Sequence, residues 1–526
     1  MNTTTLPTAG LGSRRDFLAK LSRGSLGALA SALPLAALPG AKAAYATSTD
    51  SNDEIIFMSA TKMAQMIREK KISATEAVQA FIKRQEHVNN RLNAVVMNCY
   101  ERALDEAKAA DEALAKGESK GALHGVPMTI KDSLDTEGVI TTGATYGRQQ
   151  YVPKKDATVV ARVRKAGAIL LGKTNTPEFT LGGLAGINAA SNLLYGSSHN
   201  PYDLTRSTAG SSGGAGAVVA AGLASFDIGS DWGGSIRGPS HNNGVAGIKP
   251  TSIRVPRTGH IVDYGGIFDL WQQIGPLARR VEDLALITPI IAGPDFRDAS
   301  CSPVPWADPA AVQLKSLKVA FATHNGAPNT SDETKATVAQ AAKWLEGVVA
   351  SVNEDLPKAA LADITAARRT LSSGDGGAFY QRMADKWGTK NISPQRKESM
   401  RTAVLASTPD MVRAWELQDS AKSRMLQWMK SYDVFLCPVA GMPAEIIDRP
   451  APAAGAGLGE GGGGWPYTGV FNCSGWPVVV VRCGTSATNK LPIGVQVVCA
   501  PWREDICLAV ASYLEGKSGG WQKPPV

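Results

Sequence analysis

The chain has 526 residues, 44% of them hydrophobic, with 55 Lys and Arg against 47 Asp and Glu, a formal net charge of +8. Half of that excess sits in residues 1–46, where Arg14, Arg15, Lys20, Arg23 and Lys42 face only Asp16; the remainder, about +4, gives no strong electrostatic reason to seek nucleic acid or anionic lipid. Seven irregularly spaced cysteines and six scattered histidines, with no Cys-x-x-Cys and no His-Glu-x-x-His, argue against a disulfide framework and a metal centre.

In chain order, the first segment reads as a targeting peptide. Ser13-Arg14-Arg15-Asp16-Phe17-Leu18 resembles a twin-arginine export signal, followed by an uncharged stretch from Gly24 to Ala41 and small residues up to Ala46. That stretch is rich in Ala and Gly and carries Pro34 and Pro39, so it suits a cleaved signal better than a membrane anchor. The expectation is export by the twin-arginine machinery to the periplasm or beyond, cleavage near residue 46, and a single catalytic domain over 47–526. From Ser59 to Gly117 the pattern is helical, with a capping box at Ser73-Ala-Thr-Glu76. From Val126 to Lys249 short apolar runs alternate with Gly-rich turns and one helix, 215–223, which reads as α/β with a sheet core and helices outside. A polar connection at 294–316 leads to a more helical region ending near Met429. Residues 449–465 (Arg449 to Trp465) are of low complexity and read as a mobile loop. Cys437, Cys473, Cys483 and Cys499 lie in apolar neighbourhoods that suit buried thiols.

Three Gly/Ser-rich turns carry the chemistry: Gly125-Val-Pro-Met-Thr-Ile-Lys131-Asp132, Ala209-Gly-Ser211-Ser212-Gly-Gly214 and Gly229-Ser-Asp231-Trp-Gly-Gly-Ser235-Ile-Arg237. A serine hydroxyl is a poor nucleophile until a base removes its proton, and lysine serves as that base only while neutral. Lys131 closes the apolar run Val126 to Ile130, where burial would disfavour its charged form. Two serines and one lysine thus supply a nucleophile, a relay and a base without histidine. Gly233 and Gly234 allow a sharp turn that brings the amides of residues 232 to 235 toward one point, an arrangement that can hold an oxyanion.

These three stretches resemble the amidase signature family, whose members hydrolyse carboxamides with a Ser–Ser–Lys triad. Matching flanks run in order: Gly172-Lys-Thr-Asn175, Asn200-Pro-Tyr-Asp203, Gly247-Ile-Lys-Pro-Thr251, Gly275-Pro-Leu-Ala-Arg279, Phe471-Asn472 and Leu491-Pro-Ile-Gly494-Val-Gln496. The resemblance spans roughly residues 58 to 515. It implies a large twisted mixed β-sheet covered by helices, and an acyl-enzyme on Ser235 with Ser211 as relay after a cis peptide bond and Lys131 as base. It further implies oxyanion donors at Trp232, Gly233 and Gly234, supporting roles for Ser212, Asp231 and Arg237, and neither cofactor nor metal. Ser212 also reads as the N-cap of the following helix. The partners implied are a small-molecule or peptide amide substrate and no nucleic acid, for a monomer or homodimer without a stable membrane anchor. Two departures stand out: Trp232 where a smaller residue is usual, and Ala209 in place of a common glycine. The walls of the substrate pocket are expected from Trp232, segment 367–430 and loop 449–465.

Two motifs compete with this reading. Gly167-Ala-Ile-Leu-Leu-Gly172-Lys173-Thr174 formally matches a phosphate loop, but the apolar strand lies between the glycines rather than before them. Gly210-Ser-Ser212-Gly-Gly214 fits a nucleophile elbow, yet no histidine follows His324 in the chain. Within the family the alternatives are an amidotransferase component that amidates charged tRNA, and an inactive binding protein of the same fold.

Overall fold

The computed structural model describes residues 51–181, 184, 190–262, 271–324, 329–447 and 465–526. The export segment at 1–46 and the loop from 449 to 464 lie outside the described residues; Trp465 opens a helix, Trp465–Cys473. Residues Asp50–Val526 pack as one unit.

Eleven strands form one sheet: β1 (Val95–Asn98), β2 (Pro127–Lys131), β3 (Ile169–Thr174), β4 (Phe226–Asp231), β5 (Ala246–Lys249), β6 (Gln273–Ala278), β7 (Lys318–Phe321), β8 (Ser351–Glu354), β9 (Val434–Pro438), β10 (Val478–Thr485) and β11 (Pro492–Cys499). Their spatial order is β1-β3-β2-β4-β6-β5-β10-β11-β9-β7-β8. The sheet is mixed as expected: β2 pairs in parallel with both β3 and β4, whereas β4 and β6 run antiparallel.

Strand alternation builds two cores on opposite faces. Val434 and Leu436 of β9, with Val495 and Val497 of β11, join one cluster that includes helices Asp332–Leu345 and Glu504–Ser518. Phe435, Cys437 and Val498 point the other way, into a cluster with helices Lys358–Ser373, Thr408–Met429 and Trp465–Cys473. The central strands, covered on both sides, are buried along their length, with Thr129, Lys131, Asp227, Ser230 and Asp231 as polar exceptions near the site. The capping box forms as read: Ser73 Oγ accepts from Glu76 N–H, and the Glu76 carboxylate accepts from Ser73 N–H at 2.7 Å, opening helix Ala74–Leu92. Cys437, Cys473, Cys483 and Cys499 are buried.

The topology positions the site. β2 and β4 are parallel neighbours in register Ile130↔Ile228, so Lys131 and Asp231, each the last residue of its strand, emerge at the same edge of the sheet. Carboxyl ends of adjacent parallel strands are where α/β sheets hold their ligands. Gly172 and Lys173 lie inside β3, and Lys173 Nζ is buried against Leu134 O (2.5 Å) and Thr136 Oγ1 (2.6 Å). That geometry offers no phosphate cradle.

Candidate active site

Lys131 is fully buried, and its Nζ lies 2.6 Å from Ser211 Oγ, 2.9 Å from Ser212 Oγ and 2.9 Å from Ser230 Oγ. Burial pushes its amine down from 10.5 to about 7, against the opposing pull of Asp231 and Asp227. Near neutral pH a large share of this lysine therefore carries a lone pair, the state a base needs. The peptide bond between Gly210 and Ser211 is cis, and Ala209 before it holds a left-handed φ of 56°, a conformation in which glycine is the commoner residue.

Ser212 occupies the N-cap position of helix Gly213–Ala220, but its side chain makes no capping bond. Its hydroxyl turns instead to Lys131 and to Ser230 O at 3.2 Å. The N-cap expectation is corrected: a buried amine is a stronger competitor for that hydroxyl than a helix amide. The Ser212 amide donates to Ser235 O at 3.1 Å, which ties the relay turn to the nucleophile turn. Ser235 is half-exposed, and its Oγ makes no hydrogen bond to a described residue.

Asp231 and Arg237 form the frame beneath Ser235. Both are fully buried, and the guanidinium fork meets the carboxylate at 2.9 and 3.0 Å. Its other N–H groups reach Thr468 O (2.8 Å), Gln496 Oε1 (3.0 Å) and Asn472 Oδ1 (2.5 Å), so all five donors are used. Burial alone would raise the Asp231 carboxyl; Arg237, Asn472 and the Ile236 amide together hold it well below the usual carboxylate range. The same carboxylate accepts from Gly234 N–H at 2.8 Å and Ile236 N–H at 3.0 Å, which fixes the curvature of the turn.

That contact takes Gly234 out of the expected oxyanion donors. Gly234 N–H points at Asp231, whereas the amides of Gly233 and Ser235 have no bond to a described residue. Gly234 adopts φ +129°, and a Cβ there would collide with Thr468 Oγ1. Thr468 Oγ1 in turn donates to Gly233 O at 2.6 Å, which pins the Gly233–Gly234 peptide.

Trp232 is half-buried beside Trp271, ring centroids 5.4 Å apart, and the Arg368 guanidinium lies 5.4 Å over its ring. Arg368 belongs to helix Lys358–Ser373, so the predicted wall segment 367–430 does place a residue next to Trp232. Four polar groups of the site were missed by sequence reasoning. Asp227 is buried beneath the lysine, its carboxyl pushed up to about 7 by burial despite bonds from Thr129 and Thr174. Ser230 and His260 complete the surroundings of the amine, and Asn472 anchors the nucleophile turn through Asp231 O and Trp271 O. Ser230 lay unremarked inside the stretch from Gly229 to Arg237, and Asn472 in the matched segment beginning at Phe471; Asp227 and His260 left no signal. Among the described residues no cluster of His, Cys, Asp and Glu could hold a metal ion, and no helix is long and apolar enough to cross a membrane.

A model of the amidase family matches residues 76–508. The chain belongs to the amidase family. It is 34% identical over 487 residues to a glutamyl-tRNA(Gln) amidotransferase component from Moorella thermoacetica, covering 88% of this chain and 97% of that one. It is 31% identical to human fatty-acid amide hydrolase 2, covering 93% and 94%. Among solved structures, a 6-aminohexanoate cyclic dimer hydrolase superposes with a TM-score of 0.77 at 28% identity, covering 89% of this chain and 99% of that one. The fold of this amidase-family chain is thus shared with enzymes named for hydrolysing amides and with a component of one named for transferring them.

Proposed function

We propose that this protein is an amidase that hydrolyses a carboxamide through an acyl-enzyme on Ser235. Lys131 accepts the Ser235 proton through the Ser211 hydroxyl, Ser235 Oγ adds to the amide carbonyl, and the amides of Gly233 and Ser235 receive the developing oxyanion. The proton held by Lys131 returns through Ser211 to the departing amine. Water then takes the place of the amine and gives a proton through Ser211 to Lys131 as its oxygen adds to the acyl carbonyl; the acid leaves as that proton returns through Ser211 to Ser235 Oγ. The observation that carries this reading is the buried Lys131 amine 2.6 Å from Ser211 Oγ, in a turn whose next residue is bonded to Ser235.

Ser235→Ala and Lys131→Ala should each abolish release of amine or ammonia from a panel of carboxamides while circular dichroism stays that of the wild type. A fluorophosphonate probe should label the wild type and not Ser235→Ala. Full turnover by Ser235→Ala would refute the mechanism. Turnover seen only with ATP and charged tRNA would favour the amidotransferase reading, which the Moorella relative supports. No turnover and no labelling would leave a binding protein of the same fold.

Residues 1–46 we assign to export by the twin-arginine route, on the strength of Arg14-Arg15 and the uncharged stretch behind them. A reporter fused after Ala46 should reach the periplasm, and a version with both arginines replaced by lysine should not.

A further inference from the structure

The amine of Lys131 has three hydroxyl neighbours, and the triad accounts for one of them. Ser212 Oγ is engaged by the backbone of Ser230, donating to Ser230 O at 3.2 Å and accepting from Ser230 N–H at 3.3 Å. The third, Ser230 Oγ, is buried and has a second partner: His260 Nε2 lies 3.0 Å from it. His260 is itself buried, and Val262 N–H, which can only donate, meets its Nδ1 at 3.1 Å; Val262 O is farther, at 3.3 Å. Nδ1 is therefore the acceptor and Nε2 carries the ring proton. Burial, with Lys131 adding repulsion, holds the imidazole down to about 3, so it is neutral throughout the working range.

We infer that His260 is a positioning residue for the reaction: by donating Nε2–H to Ser230 Oγ, it divides that oxygen's acceptor capacity and keeps Ser230 from gripping the Lys131 ammonium. This rests on the reading of Lys131 as the base. A hydroxyl oxygen that already receives one hydrogen bond from a neutral ring offers only a share of its electron density to a second donor. Hydrogen bonds to a charged form stabilise that form. An undivided Ser230 would therefore hold the lysine proton more firmly, and an absent Ser230 would hold it less. The charged and titratable groups facing this pair are Asp231 and Asp227 around Lys131, and Lys131, Arg148 and Arg257 around His260. None of them is altered in the His260 and Ser230 variants below.

The test is the pH profile of kcat/KM on one amide turned over by the wild type. In His260→Leu the acidic limb should move up by about half to one pH unit. In Ser230→Ala it should move down by a similar amount. His260→Gln, which keeps an N–H donor at that place, should stay with the wild type. A role in packing alone would lower activity in both variants without opposite displacements. A limb unmoved or lowered in His260→Leu overturns the inference. Should that variant not fold, a limb that stays put or rises in Ser230→Ala overturns it equally. A wild type with no acidic limb, or an active Lys131→Ala, would sink the base reading itself, and the two failures are thereby distinguishable.

Discussion

Replacing Lys131 with methionine removes an amine of similar bulk, and the structure sets what that should do to stability at each pH. The folded-state value of about 7 lies below the ordinary 10.5. Between those two values the unfolded chain binds more protons than the folded one, so this group makes the wild type more stable as pH rises through the window. The cost is fully present below about pH 7 and gone above 10.5. At about 1.4 kcal/mol per pH unit, and with the folded amine half protonated at pH 7, the window is worth about 4 kcal/mol. Methionine does not titrate. Groups that Lys131 does not perturb, such as buried Lys249 and Lys173, are present in both proteins and cancel in the comparison; Asp227, whose carboxyl Lys131 pulls down, rises further in the variant, which widens the gap at high pH in the same direction. The variant also loses three hydrogen bonds, to Ser211, Ser212 and Ser230, at about 1 kcal/mol each. Lys131→Met should therefore match or slightly exceed the wild type at pH 7 and fall about 3 kcal/mol behind it near pH 10.5. Guanidinium unfolding of both proteins at pH 7, 8.5 and 10.5, followed by circular dichroism, reads the difference. A stability gap that is the same at all three pH values would show that the lysine enters the fold with an ordinary proton affinity, and the argument for a neutral base would fail.

Gly234→Ala should fold and lose about two to three orders of magnitude in kcat, the loss seen when an oxyanion contact is misplaced. Its Cβ would run into Thr468 Oγ1 and unseat the bond that holds the Gly233–Gly234 peptide, between the two donor amides, and wild-type kcat in that variant would disprove the role given to the turn. Arg237→Met should be among the most damaging single changes, because it strands the buried Asp231 carboxylate; about 3–5 kcal/mol is expected from broken buried pairs. The double variant Arg237→Met with Asp231→Asn should recover part of that loss. Thermal unfolding of the single and double variants checks both statements, and equal midpoints would show that the charge left behind is not the cause.

The residues that share a short stretch of chain were legible in advance. Lys131 was found because it closes an apolar run within a stretch that resembles the family's motif, and the box at Ser73 and Glu76 because both partners lie within one helical turn. The sheet core was foreshadowed by the short apolar runs between Gly-rich turns from Val126 to Lys249. What stayed hidden depends on partners brought from afar. Ser230 and His260 are 30 residues apart, and Arg237 meets Thr468, Asn472 and Gln496 across 231 to 259 residues. The direction of the Gly234 amide was hidden for another reason. A glycine allows either orientation of the peptide plane, and the choice is made by the Asp231 carboxylate, whose own position is set by Arg237. Ser212 was misread because a serine before a Gly/Ala-rich helix looks the same whether its hydroxyl caps that helix or faces a lysine.

The anchoring of Arg237 by Thr468, Asn472 and Gln496 has a consequence for synthesis. Lys131, Ser211 and Ser235 are all synthesised while more than half of the chain is still to be made, yet the turn bearing Ser235 has no floor until helix Trp465–Cys473 and strand β11 arrive. A nascent or prematurely terminated chain carries the whole triad but not the groups that hold it in shape. Hydrolytic competence thus appears late and all at once, when the final stretch of the polypeptide closes over chemistry encoded in its first half.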